Sequence, residues 1–154
     1  MIVRARGRIA VAVLLATAAQ AGALEPRAYV LREGPMMKPG ALHVIEGALE
    51  MMGTSRTLGP GPSDVAVHPT RPLVFVSDNL TNTVSVVDLE AGSVDPVKGT
   101  EDGKALDEPK YLAMDPRGDR VYVSNTGGPR TLSVIDVATR SLLPGPDKPI
   151  ADTG

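Results

Sequence analysis

Short apolar runs alternate with turn residues along most of the chain. Residues 73–76 (LVFV) lie between Pro72 and a polar stretch that begins at Ser77, and residues 84–87 (VSVV) follow after a short polar turn. β-branched runs of this length, bounded by turn residues, are typical of strands joined in hairpins. Because successive residues in these runs are apolar, the pattern favours sheets that are covered on both faces.

The same order of runs occurs twice, at an offset of 47 residues. After one inserted residue the offset becomes 48, and the copies continue to match in residue type. The matching segments are 62–69 with 109–116, 74–78 with 121–125, and 83–88 with 131–136. A period of about 20 to 50 residues indicates a solenoid, a propeller or an array. Since each period holds strands, the sequence predicts β-propeller blades that pack between two neighbours.

A partial copy lies upstream, where residues 28–31 resemble the second strand of a unit and residues 42–46 the third. No first strand precedes it. We therefore expect an all-β chain of four-stranded antiparallel blades, with about two and three-quarter blades belonging to a larger ring of about seven. The predicted divisions are a signal peptide (1–23), a partial first blade with strands two to four (24–60), a second blade (61–107) and a third blade (108–154).

Residues 121–125 (VYVSN) followed by residues 132–136 (LSVID) resemble the Tyr-Val-Thr-Asn (YVTN) β-propeller repeat family. The earlier copy has residues 74–78 (VFVSD) at the matching place. The resemblance implies the fold. It does not imply one function, because one fold serves many activities. Proteins with similar repeats include exported binding proteins, subunits of redox enzymes and lactonase-like hydrolases.

The N-terminus has the composition of a secretory signal peptide. Arg4, Arg6 and Arg8 precede an apolar stretch over residues 9–19, which ends in small residues. Two A-x-A sites compete, and we expect cleavage after Ala23 rather than after Ala21. The apolar stretch is about half of the roughly 20 residues that a membrane-spanning helix needs, so an uncleaved anchor is the less favoured alternative. We therefore expect the protein in the bacterial periplasm or secreted from the cell. We expect no membrane-spanning segment after the signal peptide is cleaved.

Charge and composition narrow the candidate chemistry. Removal of the three signal-peptide arginines lowers the net charge from −2 to −5, and the aromatic content is 3%, which argues against a nucleic-acid partner. The chain has no cysteine and only His43 and His68, so thiolate chemistry, cysteine-bound zinc and C-x-x-C-H haem attachment are excluded. We therefore expect no cofactor, no metal and no catalytic residue in this part of the chain.

A few polar residues are candidates for a site. Asp64, Lys110 and Tyr111 lie where the innermost strands leave the connections between blades, and they differ between the copies. We therefore expect them to contact a ligand at the mouth of a central channel. Polar residues that recur at strand ends are expected to be structural turn residues instead. These are Asp78, Asn125, Asp88 and Asp136.

The sequence favours an exported, non-catalytic binding or scaffold module. The alternative is part of a propeller enzyme or enzyme subunit, either a lactonase-like hydrolase or a quinone- or haem-linked periplasmic oxidoreductase. Two and a fraction blades leave large apolar faces to cover. The expected partners are therefore further blades of a longer chain, other copies of the chain or a protein supplied by another gene, with a small ligand or protein bound at the loops.

Overall fold

The computed structural model describes residues 27–34, 38–46, 51–97 and 106–144. These residues form strands and turns, and they contain no helix. The strands are β1 (Arg27–Arg32), β2 (Ala41–Glu46), β3 (Met51–Thr57), β4 (Pro62–Val67), β5 (Leu73–Asp78), β6 (Thr83–Asp88), β7 (Ser93–Pro96), β8 (Pro109–Met114), β9 (Arg120–Asn125), β10 (Thr131–Asp136) and β11 (Ser141–Leu142).

The strands form three antiparallel sheets, each with its strands in chain order. The first sheet is β1-β2-β3, the second is β4-β5-β6-β7 and the third is β8-β9-β10-β11. The all-β class and the blade-like sheets expected from the repeat are confirmed. No helix capable of crossing a membrane is found in the described part of the chain.

The middle sheet is buried on both faces, as its uninterrupted apolar runs predict. Side chains alternate between the faces of a strand. Val74 and Val76 therefore pack in a core shared with the first sheet, whereas Leu73 and Phe75 pack in a core shared with the third sheet. Burial of apolar surface on both sides at about 25 cal/mol per Å² makes this sheet the stabilising centre of the described region.

Each four-stranded sheet has tight turns at the end where its first strand finishes. The turn between β8 and β9 has Gly118 at φ +81°, a left-handed conformation that glycine adopts without a Cβ penalty. The turn between β4 and β5 is made by residues 69–72 without a glycine. We call this end of the second and third sheets the lower end, and it comprises residues 68–72, 89–92, 115–119 and 137–140.

Candidate functional site

The opposite end of these two sheets, which we call the upper end, comprises the β5–β6 turn (79–82), residues 106–108 and the β9–β10 turn (126–130). Hydrogen bonds join these three segments. The Glu108 amide donates to Asn82 Oδ1 over 2.8 Å, and the amide of Thr126 donates to the Glu108 carbonyl over 3.1 Å. Asn82 and Glu108 both have positive φ values, 55° and 47°. Residues 98–105 of the connection between the sheets lie outside the described residues.

Asp64 connects the innermost strands of the second and third sheets. The pairing of β4 with β5 shifts register between Pro62 and Asp64. The Asp64 carboxylate accepts the Val65 amide at Oδ1 over 2.9 Å and the Leu112 amide of β8 at Oδ2 over 2.8 Å. Both oxygens are therefore engaged by main-chain donors, and one of these bonds crosses from one sheet to the next.

Two serines extend this polar link between the sheets. Ser77 Oγ donates to the Lys110 carbonyl over 3.1 Å and lies 3.0 Å from Ser63 Oγ. Ser63 Oγ in turn donates to the Pro109 carbonyl over 3.4 Å. Backbone groups at the start of β8 are thus held by side chains of the second sheet. We call Ser63, Asp64 and Ser77 the intersheet clamp.

Lys110 and Tyr111 occupy the positions in the third sheet that Ser63 and Asp64 occupy in the second. Their side chains are exposed, Tyr111 to 59%. Lys110 Nζ lies 5.5 Å from the centroid of the Tyr111 ring, which is within the range of a cation–π interaction. The structure therefore separates the three residues that the sequence proposes as ligand contacts: Asp64 holds two sheets together, whereas Lys110 and Tyr111 face solvent.

Asp78 and Asn125 end β5 and β9, and their side chains point inward rather than toward the turns that follow. Ser85 Oγ donates to Asp78 Oδ2 over 2.6 Å, and Asn125 Nδ2 donates to Ser133 Oγ over 2.8 Å. Strand alternation places Asp78 on the same face as Val74 and Val76, and the residue is 1% exposed. Burial raises the pKa of Asp78 to about 6, although the hydrogen bond from Ser85 opposes this shift.

Asp88 and Asp136 accept hydrogen bonds from their own turns at the lower end. Asp88 Oδ1 accepts the amides of Glu90 and Ala91, and Asp136 Oδ1 accepts the Thr139 amide and hydroxyl. These amides lower the pKa of both carboxyls. Asp88 also pairs with Arg140 of the third sheet at 2.9 Å, so it links two sheets as well as closing a turn.

Two concave regions lie where the second and third sheets meet. An apolar groove of about 360 Å³ between β4 and β8 is lined by residues that include Val65, Val67, Leu112 and Met114. A polar cleft of about 240 Å³ at the lower end contains three arginines together with Asp119 and Asp136. Within the described ranges no three histidine, cysteine or carboxylate side chains are grouped as metal ligands.

Sequence reasoning missed the role of His68, which lies at the end of β4. The residue is 4% exposed, and its ring lies against Gly118, where a Cβ would be 2.5 Å from Nε2. Its Nδ1 accepts the amides of Thr70 and Arg71. At the repeat offset of 47 residues, His68 matches Asp115, an aspartate that forms a turn. This match is the feature of the sequence from which the role of His68 could have been predicted.

No protein-family model and no curated protein matches the sequence. Among solved structures, hydrazine synthase from Kuenenia stuttgartiensis has a TM-score of 0.64 at 18% identity, over 76% of this chain and 31% of that chain. A functionally unknown protein from Desulfotomaculum acetoxidans has a TM-score of 0.58 at 15% identity, over 77% of this chain and 38% of that chain.

The β-propeller domain of the Trilobed protease from Pyrococcus furiosus has a TM-score of 0.54 at 8% identity, over 90% of this chain and 45% of that chain. The chain therefore matches less than half of the length of each of these three structures. At these identities the likeness shows the fold alone, which is that of a β-propeller module.

Proposed function

We propose that the chain is part of an exported, YVTN-type β-propeller that acts as a binding or scaffold module, and that its upper end is the contact surface. The observation that carries the proposal is the pair of hydrogen bonds that Glu108 makes, one to Asn82 of the second sheet and one to Thr126 of the third. They fix three loop segments from two sheets into one surface. Loops held in this way by a rigid scaffold are the usual position of binding residues.

The side chains on this surface support a contact role. Leu80, on the β5–β6 turn, is 54% exposed, and Asp107 and Glu108, in the connection between the sheets, are exposed as well. The upper end thus combines an apolar side chain with carboxylates. A protein or ligand surface with apolar and cationic groups would complement it.

The upper end also has backbone features that occur at functional sites. Asn82 and Glu108, which hold two of its segments together, are two of the three non-glycine residues with left-handed φ values in the described region; the third, Arg140, lies at the lower end. Such conformations cost on the order of 1 kcal/mol for residues other than glycine and are concentrated at functional sites. Propellers that bind different partners can share the same sheets and differ only in their loops. A contact surface made of loops is therefore compatible with this fold.

Site-specific photocrosslinking tests the proposal. A benzophenone amino acid replaces Leu80 at the upper end in the protein exported by its own host, and a matched control replaces the exposed Thr70 at the lower end. We expect a discrete crosslinked species from the Leu80 position and none from the Thr70 position. Equal crosslinking at the two positions, or none at Leu80, would contradict a contact surface at the upper end.

A further inference from the structure

The polar cleft at the lower end carries more positive than negative side chains, although the sequence as a whole has a formal net charge of −2. Among the described residues, Arg71, Arg117 and Arg120 line the cleft together with the carboxylates of Asp119 and Asp136. Cationic side chains gathered in a concave region concentrate the local field and attract anions. The cleft is therefore a candidate for anion binding.

The cleft forms where the turns of two sheets are held against each other. The ring of His68, on the second sheet, lies against Gly118 in the β8–β9 turn, where a Cβ would be 2.5 Å from Nε2. His68 Nδ1 also accepts the Arg71 amide over 2.9 Å. The same imidazole therefore fixes the main chain of Arg71 and holds it beside the turn that carries Arg117.

The carboxylates of the cleft already have partners. Asp119 Oδ2 lies 3.4 Å from Arg117 Nε, and Asp136 Oδ1 accepts two hydrogen bonds from its own turn. Arg71 and Arg120 make no ion pair with any residue that the structure describes. Two guanidinium groups, one from each sheet, are therefore available to an anion in the cleft.

The arginines are specific to this cleft, because the repeat does not require them. The positions matched at the offset of 47 residues are Arg71 with Gly118, Arg117 with Thr70, and Arg120 with Leu73. By contrast, the amide acceptors that close the turn are present in both copies, at positions 68 and 115. A polar residue that occurs in one copy only is more readily explained by a local site than by the fold.

We infer that the cleft binds a phosphate group, free or carried by a small organic molecule, between the side chains of Arg71 and Arg120. The planar guanidinium presents paired N–H donors that match two phosphate oxygens. A doubly charged phosphate balances the two arginines that the carboxylates leave unpaired. The cleft volume of about 240 Å³ admits this group with a few further heavy atoms. The inference does not depend on the contact surface proposed for the upper end.

Calorimetric titration with inorganic phosphate tests the inference in the protein expressed from its complete reading frame. The ionic strength is held constant with sodium chloride, because salt screens such contacts. Titrations at about 15 and about 30 °C prevent a vanishing enthalpy from hiding the binding. We expect a Kd below about 1 mM, and a Kd at least about tenfold higher in Arg71→Gln and in Arg120→Gln.

Arg130→Gln is the matched control, since it removes the same charge from an exposed position at the upper end, and it should bind phosphate as the wild type does. Titration with glycerol 1-phosphate distinguishes the two sources of the phosphate group. Tighter binding than that of inorganic phosphate indicates a phosphate ester, and weaker binding indicates the free ion.

Three results would overturn the inference. The first is no binding at phosphate concentrations up to about 10 mM, which is tenfold above the expected limit. The second is an unchanged Kd in both cleft variants. The third is equal weakening in Arg130→Gln, which would show that phosphate responds to the overall charge of the protein. If a glutamine variant does not fold, Arg71→Lys keeps the charge without the planar fork and should still raise the Kd at least about threefold.

Discussion

His68 and Asp115 hold the same turn in consecutive repeats by different chemistry. His68 Nδ1 accepts the amides of Thr70 and Arg71 over 3.1 and 2.9 Å, and Asp115 Oδ1 accepts the amides of Arg117 and Gly118 over 2.6 and 3.0 Å. The imidazole can accept these bonds only when Nδ1 carries no proton. The turn between β4 and β5 therefore requires a neutral histidine.

This requirement predicts that the contribution of His68 to stability depends on pH. Burial, followed by the positive charge of Arg71, lowers the pKa of His68 from 6.5. Because the unfolded chain then binds the proton more readily, stability is lost as the pH falls below about 6.5. We expect His68→Asn, which retains an acceptor but does not titrate, to lose less stability than the wild type between pH 7.5 and pH 5.5.

Urea unfolding followed by circular dichroism at the two pH values measures the difference. Asp115→Asn is the matched control, since it replaces the half-buried carboxylate that accepts the turn amides at the equivalent position. An identical pH dependence in the wild type and in His68→Asn would show that this imidazole does not titrate with folding.

Gly118 is expected to be the least replaceable of the left-handed glycines at the lower end. A Cβ would lie 2.5 Å from His68 Nε2, whereas a Cβ at Gly92 would lie 3.3 Å from the flexible end of Arg56. Both positions have positive φ, so both carry a backbone cost of about 1 kcal/mol for alanine. Gly118→Ala should cost a further 1 to 3 kcal/mol, roughly, because it forces two sheets apart.

Thermal unfolding of Gly118→Ala and Gly92→Ala compares the steric and the backbone contributions directly. We expect the lower melting temperature for Gly118→Ala. Equal melting temperatures would indicate that the imidazole moves aside without cost.

The strands and the repeat could be predicted from the sequence, because β-branched runs and the 47-residue offset can be recognised from the order of residues alone. The segment matched at 121–125 lies within β9, and its counterpart at 74–78 lies within β5. The role of Asp64 could not be predicted in this way, because its bond to Leu112 depends on a register shift and on how two sheets pack. The inward direction of the Asp78 side chain follows from strand alternation. Because the residue is polar and ends a strand, the sequence instead favoured a structural turn residue.

Export predicts a defined mature N-terminus. If the first 23 residues are a signal peptide, Edman sequencing of the exported protein should begin at Leu24. A start at Gly22 would indicate cleavage at the competing site after Ala21. Exported protein whose sequence begins at Met1 or Ile2 would contradict cleavage of the signal peptide.

The bond from Asp64 to the Leu112 amide should be detectable in that amide alone. Asp64→Ala removes the acceptor and leaves a main-chain donor between two sheets, which costs about 1 to 3 kcal/mol. We expect faster hydrogen exchange at Leu112, measured by NMR. Asp136→Ala, which removes a carboxylate at the lower end of the third sheet, is the control and should leave this amide unchanged. Unaltered exchange in Asp64→Ala would show that the Asp64 carboxylate does not hold the Leu112 amide.

Asp78 should destabilise the protein at neutral pH, and Asn125 at the matching position avoids the cost of a buried charge, although its Oδ1 also accepts no hydrogen bond from the described residues. Burial raises the pKa of Asp78 from 3.8 to about 6, so the folded state binds the proton more tightly than the unfolded state. The contribution of the group is therefore fully present below about pH 4 and is lost as the pH rises through about 6. Above that pH the folded protein holds a buried carboxylate, whose Oδ1 accepts no hydrogen bond from the described residues.

Asp78→Asn should relieve this cost, because the amide is neutral and can donate to Ser85 Oγ as Asn125 donates to Ser133. We expect a higher free energy of unfolding than in the wild type at pH 7.5, by on the order of 2 kcal/mol, and a smaller gain at pH 4.5. Asn125→Asp is the reciprocal variant, and it should lose stability at pH 7.5 and regain it at pH 4.5. If Asp78→Asn were less stable than the wild type by the same amount at both pH values, the carboxylate would be held in a favourable charged state and the sign of this argument would be reversed.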